Sequence, residues 1–325
     1  MSTRQASADV LDRFLAVANE LRNTGGWFED WSVLRHAALT LPLIDADPAA
    51  LVRDLRRTIA EFAKRTRWWE TAHGSLRQFL AAALVREDES VADFCAELKR
   101  VQALFRAAKL PRGGTGEALA FVTLREHAPK RRVSATEVGR MRELFTEIKK
   151  DHRWLLDEGE YPTIALLSTT GVAAGEVARR VEEILQRLTA SGFRSRGKLL
   201  PVSQLLFFAP EPDAAACTRF EALWKEFLAR GLRMNSDDYD EVALLAFVPR
   251  EASKVVRTVL EHRESIDTLR PKPSRNASFS LAASTAFLEL VGNDPRLRKL
   301  SNTQAALQVR SILVARRAAA VAAAS

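Results

Sequence analysis

The chain has 325 residues, of which 47% are hydrophobic and 28% charged, and its formal net charge at pH 7 is +8. This composition is typical of a globular protein with a large core, and it excludes intrinsically disordered and collagen-like proteins. The first residues lack the apolar core of a signal peptide, and no run of about 18 apolar residues occurs, so we expect a cytoplasmic protein without membrane insertion.

Short apolar segments alternate with longer amphipathic segments along the whole chain. The short segments are 33–41, 76–85, 117–124, 163–168, 199–208 and 241–248. The longer segments carry apolar residues at helical spacing and begin near residues 48, 90, 136, 174, 213 and 251. Because strand alternation is absent, the pattern predicts an all-α protein.

The sequence also repeats itself. EYPTIALLS (160–168) and DYDEVALLA (238–246) share an acid, a tyrosine and Ala-Leu-Leu, 78 residues apart, and residues 180–194 match 219–233 at half that step. A step of about 39 residues is typical of two-helix units stacked in a right-handed α-solenoid of the armadillo or HEAT type. We therefore predict one elongated domain over 1–325, with an N-terminal cap (1–30), two-helix repeats (31–291) and a C-terminal capping helix or tail (292–325).

The phrase EYPTIALLS and the following VARRVEEILQRLTASGF resemble a bacterial domain-of-unknown-function family, number 4003. Its members carry acid–Tyr–Pro–x–x–x–Leu-Leu, followed by a helix that ends in Gly-Phe. The resemblance covers about residues 60–290, but the second copy has Asp240 where the phrase has Pro162, and Leu232 where it has Phe193. It implies a bacterial helical protein with no assigned activity and no catalytic residue to carry over.

The sequence contains no convincing motif for catalysis, phosphate binding or metal binding, and we predict no catalytic residue, metal or cofactor. The glycine-rich GGTGE (113–117) follows a helix where a dinucleotide site needs a strand, so it is interpreted as a connector. The five histidines form no metal-ligand pair along the chain. The acidic SDDYDE (236–241) lacks the spacing of a calcium loop and is interpreted as a helix start capped by Ser236.

Cys95 and Cys217 are too few for a disulfide framework, and Cys95 shares an apolar stripe with Phe94 and Leu98, which indicates a core position. The repeated tyrosines Tyr161 and Tyr239 are likewise predicted to be packing residues.

Basic residues are concentrated in the connectors that follow the longer helices, and acidic residues in the opposite connectors. Helix-end preferences alone favour such a separation, because bases suit C-termini and acids suit N-termini. In a solenoid the connectors after the longer helices line up along one edge, which we call the basic rim. This rim also includes the adjacent Trp68 and Trp69, which could stack on nucleic-acid bases, anchor a partner or close the core. The candidate partner- or polyanion-binding residues are Arg65, Arg67, Trp68, Trp69, Arg194, Arg196, Lys198, Arg233, Arg270, Lys272 and Arg275.

Two functions are compatible with this pattern. The first is a noncatalytic protein–protein interaction scaffold that uses the concave face of the solenoid. The alternative is binding of nucleic acid or another polyanion along the basic rim. An enzyme whose site assembles from distant residues leaves no signature in a single sequence.

Overall fold

A computed structural model describes residues 3–26, 30–65, 74–152 and 160–292, and every regular element in these ranges is helical. The α-helices are α1 (Thr3–Asn23), α2 (Trp31–Ala37), α3 (Pro48–Arg65), α4 (Gly74–Glu87), α5 (Val91–Ala107), α6 (Thr115–His127), α7 (Ala135–Asp151), α8 (Tyr161–Ser168), α9 (Ala174–Ala190), α10 (Arg196–Leu206), α11 (Asp213–Ala229), α12 (Tyr239–Leu245), α13 (Ala252–Ile266) and α14 (Arg275–Gly292). Short 3₁₀ turns cover Ala38–Leu43, Pro129–Arg131 and Ser236–Asp238.

The all-α prediction is confirmed for the described residues. The longer helices from α3 to α13 begin within one residue of the expected positions, and each short apolar segment forms a helix or a helix with a 3₁₀ turn. Helix α14 was missed. None of the described helices is both long and apolar enough to cross a membrane.

The long helices form an outer layer because each buries one face. In α9 the buried residues are Val177, Val181, Ile184, Leu185 and Leu188, which recur at helical spacing, while the opposite face is charged. Along the chain α7 packs against α9, α9 against α11, and α11 against α13. The outer layer thus follows the order of the sequence.

The short helices form an inner layer that is buried on all sides. Every residue of Gly116–Leu124 in α6, Tyr161–Leu167 in α8 and Tyr239–Leu245 in α12 is buried. Such helices have no exposed polar face, which explains why their sequences are mostly apolar, although α6 buries Glu117 and α12 buries Asp240 and Glu241. Side chains of neighbouring short helices fill the interior between them.

The first and last described helices meet. Helix α1 packs against α14, and α2 also contacts α14. The Arg35 guanidinium on α2 donates hydrogen bonds to the carbonyl oxygens of Pro271 (2.9 Å) and Arg270 (3.0 Å). His36 Nε2 lies 3.2 Å from Ser280 Oγ on α14. The helices therefore close into a ring.

Ring closure corrects the prediction of an elongated domain with separate caps. The predicted N-terminal cap, α1, packs against the final inner helix, so it is a member of the ring. The spacing of the sequence repeats predicts the order of the helix pairs along the chain. It does not predict how close the first and last helices lie in space. Within the predicted C-terminal cap, residues 293–325 lie outside the described residues.

Three long helices end with the same backbone motif. Phe193 N donates to Leu188 O after α9, and Leu232 N donates to Phe227 O after α11. The motif needs one left-handed residue, supplied by Gly192 (φ +91°) and Gly231 (φ +80°). After α5 the left-handed residue is Lys109, with φ +57°.

These glycines give a stability test. A Cβ at Gly192 or Gly231 would meet no atom within 4 Å, so alanine there adds left-handed strain alone. We expect either Gly→Ala change to lower the free energy of unfolding by about 1–2 kcal/mol. Gly139 in the interior of α7 is the matched control, because alanine there raises stability by about 0.5–1 kcal/mol. Urea unfolding measures all three, and the same sign at every position would contradict the assignment.

Candidate functional site

The repeated tyrosines show that the connectors leading into the short helices lie at one end of the ring. Tyr161 at the start of α8 donates its hydroxyl proton to Pro111 O (2.8 Å), which lies in the connector before α6. Tyr239 at the start of α12 accepts a bond from Arg194 N (3.4 Å), in the connector before α10. We call this face, formed by residues 108–114, 191–198, 230–238 and 267–275, the basic end.

Both tyrosines also pack as the repeat predicts. Tyr161 is fully buried and meets Phe145 edge to face, with ring centres 5.5 Å apart. Tyr239 makes the same kind of contact with Phe193, at 5.6 Å. The recurring phrase is thus a packing element that fastens one connector to the next.

Most of the predicted basic residues in the described ranges carry a nearby carboxylate. The side chains of Arg196, Lys198, Lys272 and Arg275 remain 43–62% exposed. The pairs are Arg65 with Glu61 (3.0 Å), Arg196 with Glu182 (3.3 Å), Lys198 with Asp237 (3.0 Å), Lys272 with Asp267 (3.5 Å) and Arg275 with Asp238 (3.9 Å). Apart from the pair with the buried Asp238, both partners are at least partly exposed, and exposed ion pairs contribute about 0–1 kcal/mol each, so those cations stay available to a ligand.

Arg194 and Arg233 differ from that set. Both are exposed, and neither side chain makes a hydrogen bond or ion pair with another described residue. The Arg270 guanidinium instead donates to carbonyl oxygens just after α13, including that of Thr268 (3.0 Å). The predicted residues Arg67, Trp68 and Trp69 lie outside the described residues.

The glycine-rich stretch 113–117 is a connector. The loop amide that could bind an anion already binds the carboxylate of Glu117. Glu117 is buried, accepts a bond from Gly113 N (2.8 Å) and pairs with the Arg106 guanidinium. A carboxylate that binds the loop amide leaves a phosphate no equivalent place there. The interpretation as a connector fits this geometry.

The acidic stretch before α12 begins a helix, but the capping residue differs from the prediction. Asn235 caps the turn by accepting from Asp237 N (2.8 Å), and the Asp238 carboxylate accepts from Asn235 N (2.8 Å). Ser236 is already inside the 3₁₀ turn. Burial raises the pKa of Asp238, and the bond from the Asn235 amide opposes that rise.

The opposite end of the ring is less acidic than predicted, because arginines from neighbouring helices pair with its carboxylates. Arg131, in the 3₁₀ turn after α6, pairs with Glu87, and Arg125 pairs with Glu89. Burial alone would raise the pKa of Glu87, but Arg86 and Arg131 together hold it below its ordinary value. Pairing of this kind depends on tertiary contacts that charge counts along the sequence do not report.

Two buried histidines each contact a glutamate, which the sequence did not indicate. His152 Nε2 lies 2.9 Å from Glu182, and His262 Nε2 lies 2.7 Å from Glu289. The described residues contain no group of three or more metal-ligating side chains. Burial raises the pKa of the Cys217 thiol to about 11, so this thiol is a poor nucleophile at neutral pH.

The tyrosine contacts predict unequal effects of the same substitution. Tyr161→Phe removes a hydrogen bond of normal length, so we expect a loss of about 0.5–1.5 kcal/mol in the free energy of unfolding. Tyr239→Phe removes a bond at the distance limit and should cost less than about 0.5 kcal/mol. Urea unfolding of the two variants measures the difference. Equal losses would argue against the Tyr161–Pro111 bond as the stronger fastening.

Comparison with known proteins gives a family without an assigned activity. Residues 118–318 match the family described as "Protein of unknown function (DUF4003)". No curated protein and no solved structure matches the chain. The match includes α8 to α14 and therefore both copies of the repeated tyrosine phrase. Since it covers more than half of the sequence, the chain belongs to the DUF4003 family.

Proposed function

We propose that this chain is a noncatalytic binding module, built from repeated two-helix units, that holds an acidic segment of a partner protein across its basic end. In this proposal the protein acts in the bacterial cytoplasm, as its composition and family resemblance predict.

The surface that can meet a partner is the connector end rather than an inner concave face. The short helices line the inside of the ring, and α6, α8 and α12 are buried along their lengths. The connectors at the basic end are exposed at Arg112, Arg194, Arg196 and Arg233. A protein segment therefore has access to this end without displacing core side chains.

The single observation that carries the proposal is the pair of uncommitted arginines on neighbouring connectors. Arg194 and Arg233 are exposed and have no ion-pair partner among the described residues. Their connectors adjoin, because Tyr239 links the start of α12 to Arg194 N. Arginine forms bidentate bonds with carboxylates, so two such residues favour a ligand with at least two acidic side chains.

Helix orientation adds to the positive character of this end. Helices α10 and α14 begin here directly after basic residues, whereas α12 is directly preceded by Asp237 and Asp238. The N-terminus of a helix carries a partial positive charge that favours nearby anions by about 0.3–1 kcal/mol. Lys198 and Arg275, in the first turns of α10 and α14, add full charges beside these helix starts.

Carboxylates interleaved with the cations favour an acidic peptide over nucleic acid, the alternative predicted from the sequence. Asp237 and Asp267 lie within 3.5 Å of lysine ammonium groups at the same end. A phosphate backbone carries charge at every nucleotide and would lie against these carboxylates. An acidic peptide, in contrast, can have its carboxylates spaced so that they meet the arginines and avoid Asp237 and Asp267.

The combined Arg194→Gln and Arg233→Gln variant tests the proposal. We expect it to bind a fluorescein-labelled peptide of alternating glutamate and leucine about tenfold or more weakly than the unchanged protein, because each charge-assisted bond contributes about 1.5–3 kcal/mol. Fluorescence anisotropy measures the affinity. The control removes two arginines on the outer layer, the half-buried Arg142 (Arg142→Gln) and the exposed Arg179 (Arg179→Gln), and should bind like the unchanged protein.

The same titration decides between the two partners. A single-stranded DNA oligonucleotide that binds more tightly than the peptide, with a log–log salt slope near about −4.5 for five phosphate contacts, would favour nucleic acid. An equal loss of peptide binding in the control variant would show nonspecific attraction. Absence of binding to both probes would reject the basic end as a binding surface.

A further inference from the structure

At four places in the ring an arginine on a long helix contacts the loop that follows the next short helix. Three of these arginines satisfy backbone carbonyl oxygens after the short helix has ended, and the fourth pairs with a carboxylate at the start of the long helix that follows. The pairs are Arg13 with Ile44, Arg100 with Val133, Arg180 with Asp213, and Arg219 with Ala246, Val248 and Arg250. An arginine in this position is thus a recurrent fastening between units.

Arg140 on α7 holds the equivalent position before α8 but fastens nothing. Arg140 lies 40 residues before Arg180, close to the repeat step of about 39 residues. It faces the loop 169–173 that follows α8. Its side chain is exposed and makes no hydrogen bond or ion pair with another described residue. An arginine thus recurs at this position of the sequence, but Arg140 contacts none of the carbonyl or carboxylate groups that the other arginines bind.

The end of α8 does not need Arg140, because its own side chains cap it. The hydroxyls of Ser168, Thr169 and Thr170 donate to the carbonyl oxygens of Ala165, Leu166 and Leu167 at 2.7–2.8 Å. The loop then turns at Gly171, with φ +73°, and leaves a gap beside α7. The arginine is thereby left to face an open space rather than a backbone carbonyl.

That open space is a cleft of about 190 Å³ between α7 and the loop after α8. Arg140 and Glu143 line one wall, Val172 supplies exposed apolar surface, and the buried side chains of Leu144 and Leu167 lie behind it. Val172 is 42% exposed, one of two large apolar side chains left so open in the described residues. The cleft is smaller than a site for a drug-sized ligand, so it suits a group of a few heavy atoms.

We propose that this cleft binds a carboxylate attached to a short branched apolar group. The Arg140 guanidinium holds the carboxylate, and the exposed side chain of Val172 covers the apolar part. Such a group occurs both in small branched carboxylic acids and at the C-terminus of a protein that ends in an aliphatic residue. The site lies at the end of the ring opposite the basic end and does not depend on the function proposed for it.

The test uses the full chain and two carboxylate probes, isovalerate and a short peptide ending in a free valine carboxylate, each with its uncharged amide as control. Isothermal titration calorimetry should show saturable binding of at least one carboxylate and none of its amide. Equal affinities for both probes would assign the site to small acids. Tighter binding of the peptide would assign it to a chain terminus.

Matched variants on α7 separate a specific site from general attraction. Arg140→Gln should weaken binding about tenfold to a hundredfold, because it removes a charge-assisted hydrogen bond. Arg142→Gln removes an equal charge whose guanidinium bonds Thr146, and it should leave binding unchanged. Glu143→Gln removes a carboxylate from the cleft wall and should tighten binding.

Arg140 is exposed and uncommitted, so its variant should unfold at the same urea concentration as the unchanged protein. Binding that survives Arg140→Gln, or no binding of either carboxylate by the folded protein, would overturn the proposal. Equal weakening by Arg142→Gln would do the same, because it would show attraction to the general charge of α7 rather than to the cleft.

Discussion

The buried guanidinium of Arg35 is the constraint on which the closed architecture depends. This side chain is only 2% exposed, and burial lowers its pKa because the charged form loses its water. A charge in such a position is tolerated only when hydrogen-bond acceptors surround it. The carbonyl oxygens of Arg270 and Pro271 are those acceptors, and they come from the opposite end of the described chain.

Closure determines which surfaces the ring can offer. Once α14 packs against both α13 and α1, each outer helix has neighbours on two sides, and the short helices are enclosed. The exposed parts are then the outer faces of the long helices and the two ends of the ring. The basic end and the Arg140 cleft lie at opposite ends of the ring.

Several tertiary contacts are made by residues that recur in the repeated sequence, and Arg140 recurs without making such a contact. Tyr161 and Tyr239, 78 residues apart in the sequence, each use the hydroxyl to bond a connector, and Arg180 and Arg219, 39 residues apart, each bind the chain that follows the next short helix. These residues were recognisable because they recur at the repeat step. Arg140 also recurs, yet only the structure shows that its partner loop has capped itself.

Much of the secondary structure was predictable, because helical periodicity is local. The starts of the long helices follow from apolar spacing over about four turns, and the basic connectors follow from composition. Helix α14 was missed because its sequence mixes buried serines such as Ser278 and Ser284 with apolar residues and carries no repeated phrase. Closure was not predictable, since Arg35 and Pro271 are 236 residues apart and neither belongs to a motif.

Contacts between charges were the least predictable part of the site. The acids near Arg196 and Lys198 come from other helices or connectors, Glu182 and Asp237, and so the local charge count overstated the basic rim. The same holds at the other end, where Arg125 and Arg131 neutralise Glu89 and Glu87. The sequence identified the cations at one end and the acids at the other, but in neither place the partners that fold against them.

A distance between the two ends of the helix row tests ring closure most directly. Spin labels at Ser32→Cys and Lys272→Cys, in a chain with Cys95→Ala and Cys217→Ala, occupy exposed positions close to Arg35 and Pro271. Since three residues of helix span about 4.5 Å, closure predicts a single short distance by electron paramagnetic resonance, below about 25 Å. An open row would separate α2 from α14 by six steps of about 8–10 Å each, so a distance near 50 Å would contradict the ring.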